Sequence, residues 1–328
     1  MRFVLRRLGF FVLTLWVALT LNFVLPRLMP GNPAEAMIAN HKGVVSPTAL
    51  KALEAQFGLN THQNLVAQYF RYLGDVATGK FGVSLTTQPG NSVGRIVLDA
   101  IPWTLGLVGL TTILAFILGT GIGILAAWRR GGRLDSIMPP VFVIMTVVPY
   151  FWLGLVLILV FGVKLHWLPY IDSYNITDTP AFTWSFISDV LSHAILPAVT
   201  LLITTIGTWI LTMRNTMITT LTEDYIRMAR AKGLPGRRIM LGYAARNAIL
   251  PNVTGFAMSL GFVLGGAILI EDVFNYQGVG WLLLDAVNND DYPLMQALFL
   301  LITVAVLVAI LLSDIATAVI DPRTREAS

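Results

Sequence analysis

Residues 101–128 read IPWTLGLVGLTTILAFILGTGIGILAAW and carry no charge. The run of 28 residues exceeds the ~18 apolar residues that mark a helix able to cross a hydrocarbon core of about 30 Å. Arg129 and Arg130 end it. Five more uncharged runs lie on either side, at 8–25, 136–163, 194–213, 248–270 and 292–313. Helices are the natural reading of such runs, because they satisfy their backbone hydrogen bonds within the segment. A membrane barrel would instead show short alternating strands, and none is visible. The sequence therefore predicts an all-α, polytopic membrane protein with about six transmembrane helices.

Composition agrees. Of 328 residues, 55% are hydrophobic and 12% charged, against about 25% charged in soluble domains. A large soluble core would still need a charged surface, whereas a lipid-facing one does not. With no cysteine, disulfides, thiolate metal sites and cysteine nucleophiles are excluded. Arg2, Arg6 and Arg7 precede the first run as in a signal peptide, but the run is too long and ends in Pro26-Arg27 without a cleavage site. It is expected to stay as the first helix.

Charge sets the orientation. Cytoplasmic loops are rich in Lys and Arg. With the N-terminus inside, fifteen of the 22 basic residues fall on the inner side. They are Arg2, Arg6 and Arg7; Arg129, Arg130 and Arg133; seven in the loop 214–247; and Arg323 with Arg325. The outer segment 271–291 has no basic residue and carries Glu271, Asp272, Asp285, Asp290 and Asp291. Both termini are expected in the cytoplasm, in a cell-membrane, multi-pass protein whose neighbours include lipid. A nucleic-acid-binding patch would need a soluble domain to carry it, so no nucleic-acid partner is expected.

Along the chain, residues 1–28 read as an inner N-terminus and first span, and 29–100 as a helical extracytoplasmic insertion. Residues 101–320 follow as a five-helix transmembrane core with an inner loop at 214–250, and 321–328 as a cytoplasmic tail. In the insertion, Ser46-Pro47 and Gly58 bracket one short helix, and Asn64 to Val76 form another. Within the spans, Gly119-x-Gly121-x-Gly123 and Gly261-x-x-x-Gly265 offer faces for close helix contact. Pro139, Pro140, Pro149 and Pro197 are candidate kinks. The few polar residues inside runs include Asn22, Thr111, Thr112, Thr204, Thr205, Asn252 and, near the inner end of the last, Asp314.

The loop 214–250 carries the candidate site. Thr222 is placed to cap a helix whose first turn holds Glu223 and Asp224. Arg230 and Lys232 suit its last turn, Gly233 its close, and Pro235 bars continuation. Tyr225, Met228 and Ala229 are expected on one face. A second stretch, Arg237 to Ala248, leads to Ile249-Leu250-Pro251. A short amphipathic helix joined to two spans can transmit motion from a cytoplasmic partner; as an ordinary basic loop it would do nothing of the kind.

The stretch DYIRMARAKGLPGRRIMLGYAARNAILP, Asp224 to Pro251, resembles the coupling-loop signature of ABC importer permeases. Gly233 and Pro251 match it. Ala229-Arg230-Ala231 stands where the family has an acidic residue and two alanines. Tyr225 to Gly233 resembles the dipeptide/oligopeptide (peptide/nickel) branch, as its B-type subunit. Further similar segments are Pro30-Gly31-Asn32-Pro33, Gln56-Phe57-Gly58-Leu59, Gly82-Val83-Ser84, Glu271-Asp272-Val273-Phe274, Gly278-Val279-Gly280, Asp291-Tyr292-Pro293-Leu294 and Asp321-Pro322-Arg323. The resemblance implies a type I ABC importer permease fold and a permease for di- or oligopeptides, with oligosaccharides or nickel as alternative cargo. It further implies a second homologous permease subunit, two ABC ATPase subunits that bind ATP and Mg, and an extracytoplasmic solute-binding protein. ATPase-coupling residues would be Asp224, Tyr225, Arg227, Ala229, Arg230, Ala231, Gly233 and Pro251. The chain itself is expected to be no enzyme and to bind no cofactor or metal. No lysine precedes Ser or Thr as a P-loop requires, its four histidines are dispersed, and no Gly-x-Ser-x-Gly elbow occurs. A secondary transporter is the rival class, but it would show charged residues near mid-membrane. Trp152, Trp167 and Trp209 are candidates to stack on a sugar.

Overall fold

A computed structural model describes residues 2–28 and 64–320. The predicted helix between Ser46 and Gly58, the motifs at 30–33 and 56–59, the side chain of Asp314 and the tail with Arg323 and Arg325 lie outside the described residues. Among the described residues the structure is helical, with one isolated antiparallel bridge between Val83 and Ser92.

In chain order the helices are α1 (Arg2–Leu28), α2 (Leu65–Ala77), α3 (Val93–Thr104), α4 (Leu110–Trp128), α5 (Arg133–Val147), α6 (Tyr150–Leu157) and α7 (Trp184–Thr220). There follow α8 (Asp224–Ala231), α9 (Gly236–Ala248), α10 (Leu250–Gly266), α11 (Ile268–Val273), α12 (Val279–Asn288) and α13 (Tyr292–Ile320). A π-helical turn, Leu105–Gly109, joins α3 to α4, and α9 is π-helical over Ile239–Ala245.

Among the described residues, four helical runs are long and apolar enough to cross a membrane: Arg6–Val24, Val93–Trp128, Trp184–Thr220 and Tyr292–Ser313. Two bent pairs raise the number to six if each is one span. The run 136–163 is not one straight helix. Arg133–Met145 and Tyr150–Lys164 meet at 96°, because the residue before a proline is driven from the α region. Val148, ahead of Pro149, has ψ 123°. Pro197 instead sits inside the unbroken α7.

The chain folds as two compact units. One contains the described residues up to 104, with 264–268 and 277–308. Its core joins Val93, Ile96, Val97 and Ala100 of α3 to Val279, Leu282, Leu283 and Ala286 of α12 and to Leu294 and Leu298 of α13. The Gly265 position lies 2.8 Å from Ile302 Cγ2, measured from an added Cβ. Two motifs far apart in sequence meet here. The buried Asp291 carboxylate accepts hydrogen bonds from the Ser84 hydroxyl and from the N–H groups of Leu85, Thr86 and Thr87. Buried anions are tolerated when donors saturate them. The backbone carbonyl of Asp291 also accepts from Met295 N–H at 2.8 Å, starting α13. Asn22 of α1 donates to Tyr72 OH (3.1 Å) and to the Gln296 carbonyl (2.9 Å), and Thr20 pairs with Tyr69 OH, so the span polar groups tie α1 to α2 and α13.

The other unit holds residues 105–263, 269–276 and the described residues from 309. Gly119 and Gly123 of α4 lie against α7. Added Cβ atoms there would come within 2.6 Å of Trp209 Cβ and 2.7 Å of the Ile210 carbonyl oxygen, whereas Gly121 faces open space. Gly261 likewise meets Ala309. Phe116, Trp209 and Phe256 pack as an aromatic cluster, Phe116 stacked on Phe256 at 4.4 Å between ring centres. Asn252 is fully buried and donates to Thr120 Oγ1 (2.9 Å) and to the Trp209 carbonyl (3.1 Å).

Candidate functional site

After α7 ends at Thr220, the chain turns and enters α8. Thr222 does not cap it: its hydroxyl donates back to the Thr219 carbonyl at 2.7 Å. Glu223 occupies the cap position with extended backbone, and no side chain caps the helix. The turn leaving α7 consumes the Thr222 hydroxyl, which a motif reading does not foresee. Asp224 in the first turn and Arg230 in the last favour the helix dipole.

The C-terminal end follows the expectation. Gly233 has φ +72°, its N–H donates to the Arg230 carbonyl (2.9 Å), and Leu234 N–H donates to the Ala229 carbonyl (3.3 Å). This paired arrangement needs a left-handed residue at the glycine. Pro235 then opens α9 by accepting from Arg238 N–H and Ile239 N–H.

The buried face of α8 differs from the expected one. Ile226 and Ala229 are the buried residues. They join a cluster with Ala127 of α4, Met213 and Met217 of α7, and Ile239, Ala244, Ala245 and Ala248 of α9. Tyr225 and Met228 face outward, Met228 being 61% exposed. A three-residue spacing puts Ile226 and Ala229 on one line, and Tyr225 is pushed to the flank. There its hydroxyl accepts from Asn247 Nδ2 at 2.9 Å.

Of the eight predicted site residues, Asp224, Tyr225, Arg227, Arg230, Ala231 and Gly233 are solvent-exposed, and Ala229 is inside the cluster. Arg227 pairs with Asp224 at 3.3 Å on the open face. Pro251 stands apart, in the first turn of α10. With Lys232, Arg237 and Arg238 also exposed, the outer surface of α8–α9 is cationic around Met228 and the Tyr225 ring. Arg214 of α7 pairs with Asp135 of α5, whose other oxygen accepts from Gly131 N–H (2.8 Å). Ile226 and Asn247 were not singled out from sequence, although Ile226 follows from the i, i+3 spacing to Ala229.

Among the candidate sugar-stacking residues, Trp152 and Trp167 are exposed, but Trp209 is buried against Phe116 and Phe256. No group of three or more metal-ligating side chains occurs among the described residues.

Two family descriptions match the chain in tandem. Residues 119–326 match the binding-protein-dependent transport system inner membrane component, and residues 1–108 match the N-terminal part of such membrane components. Curated relatives match it over more than nine tenths of its length. The di/tripeptide transport system permease protein of Pseudomonas aeruginosa is 35% identical, covering 98% of both chains. The dipeptide transport system permease protein of Escherichia coli is 33% identical over 99% of both. The oligopeptide transport system permease protein of Bacillus subtilis is 33% identical over 92% of both.

Proposed function

This chain belongs to the family of binding-protein-dependent transport system inner membrane components, and from that membership we propose that it is the permease subunit of an ATP-driven importer of di- and oligopeptides. The observation that carries the cargo is the end-to-end match to permeases named for di-, tri- and oligopeptides. The nearly charge-free spans favour energy supplied from outside the chain over an ion-coupled carrier.

The chain pairs with a second, similar permease to enclose the path. An extracytoplasmic solute-binding protein delivers peptide. Two ATPase subunits bind ATP and Mg and do the hydrolysis. Both termini and α8 lie in the cytoplasm, following the bias of basic residues to one side. The ATPase subunits grip α8 through Tyr225, Arg227, Met228 and Arg230, which are exposed, while Ile226 and Ala229 fasten the helix to α4, α7 and α9. Engagement of α8 favours one of two pore states, and nucleotide release favours the other.

The test is uptake of a labelled dipeptide into proteoliposomes holding the complete complex. Uptake should require ATP and cease when the ATPase subunits carry an inactivating substitution. Concentrative uptake that continues without ATP hydrolysis would overturn the assignment.

A further inference from the structure

We propose that Asn252 is a positioning residue of the transport cycle, one that registers the elbow carrying α8 against the α4–α7 pair; the inference rests on the permease reading above. Helix α9 and α10 meet at 51°. Pro251 explains the bend: it has no N–H to donate, and its ring crowds the carbonyl of Asn247 four residues earlier. An asparagine stands on each side of the bend. Asn247 holds the coupling side, donating to Tyr225 OH on α8 and to the Tyr243 carbonyl (3.2 Å). Asn252 holds the bundle side, donating from one amide nitrogen to Thr120 on α4 and to the Trp209 carbonyl on α7. Polar contacts thus flank the proline on both sides, Asn247 reaching α8 and Asn252 reaching the packed pair.

The second observation concerns the other arm of the Asn252 amide. Asn252 is fully buried, yet its Oδ1 has no hydrogen-bond partner among the described residues. A buried, unspent acceptor is unfavourable. In a static junction an apolar side chain of similar size would serve better. An amide with one arm engaged and one in reserve suits a junction with two arrangements. When α10 turns, Nδ2 leaves one acceptor and Oδ1 accepts the Thr120 hydroxyl proton instead. Gly255 faces the Trp209 ring, an added Cβ lying 3.3 Å away, and Phe256 lies flat on Phe116.

The experiment compares wild type, N252L, T120V and T120S in the reconstituted complex, reading ATP hydrolysed per dipeptide imported. N252L should raise that ratio roughly tenfold, the usual scale of a lost coupling between sites. T120V should raise it less, and T120S, which keeps the hydroxyl, should match wild type. Amide hydrogen exchange over residues 236–251 should accelerate in N252L and T120V. If N252L does not assemble, T120V decides. A wild-type ratio and wild-type exchange in an assembled N252L or T120V complex would overturn the proposal. Failure of the wild-type complex to import dipeptides would instead sink the permease reading, and the exchange measurement would still judge the clamp.

Discussion

Helices meet α7 in two different ways. Against α4 the contact has no spare room: at Gly119 and Gly123 a single methyl would strike the backbone or Cβ of the facing helix. In lipid, where apolar side chains gain nothing by leaving solvent, such close backbone approach is what holds helices together. Against α8 the contact is slight. Two of its eight residues are buried, and its side-chain hydrogen bond to Asn247 runs to α9, not to α7. The first junction behaves as a wall and the second as a fitting. A machine that turns an external push into pore movement needs both: a body that does not deform, and a handle that can be seized without breaking it.

The most severe way to break this comparison is at the wall. Gly123→Leu should cost about 3 kcal/mol and abolish a cooperative melt in detergent. Gly121→Ala, in open space, should be neutral or stabilising by up to about 1 kcal/mol. Equal losses in both would show that the α4–α7 contact is not the tight one. Next comes the fitting. Ile226→Ala should remove about 2–4 kcal/mol of local anchoring. Hydrogen exchange across residues 224–231 should rise while amides of α4 and the facing part of α7 stay protected. Spread of the exchange into α4 would mean that handle and wall unfold together.

Smaller effects sharpen the picture. Gly233→Val meets no neighbour within 4 Å, so its penalty is conformational, about 1–2 kcal/mol for φ +72°. It should lower ATP-coupled uptake while membrane insertion stays normal. Asp135→Asn should matter least, about 1 kcal/mol in a detergent melt, because the amide oxygen still accepts a hydrogen bond from Arg214.

Much of this architecture was legible in the sequence because lipid imposes a simple rule on it. Uncharged length finds the spans, and paired glycines find the close contacts, Gly119, Gly123, Gly261 and Gly265 among them. Gly233 was legible because a helix end has few ways to close. What escaped has physical reasons too. The 96° bend at Pro149 and the unbroken helix through Pro197 come from the same residue type, and no local signal in the sequence separates them. Thr222 failed as a cap because the preceding turn claimed its hydroxyl. The outward placement of Tyr225 required knowing where Asn247 sits, 22 residues away. The link between Ser84 and Asp291, 207 residues apart, joins two short motifs that read separately as family marks and together as one buried cage.

The handle itself offers the decisive measurement. The chain has no cysteine, so Met228→Cys places a single thiol on the open face of α8. A membrane-impermeant maleimide should label it from the cytoplasmic side only, and assembly with the ATPase subunits should protect it. Labelling from the outer side, or full labelling in the assembled complex, would contradict the claim that α8 is the surface a cytoplasmic motor grips.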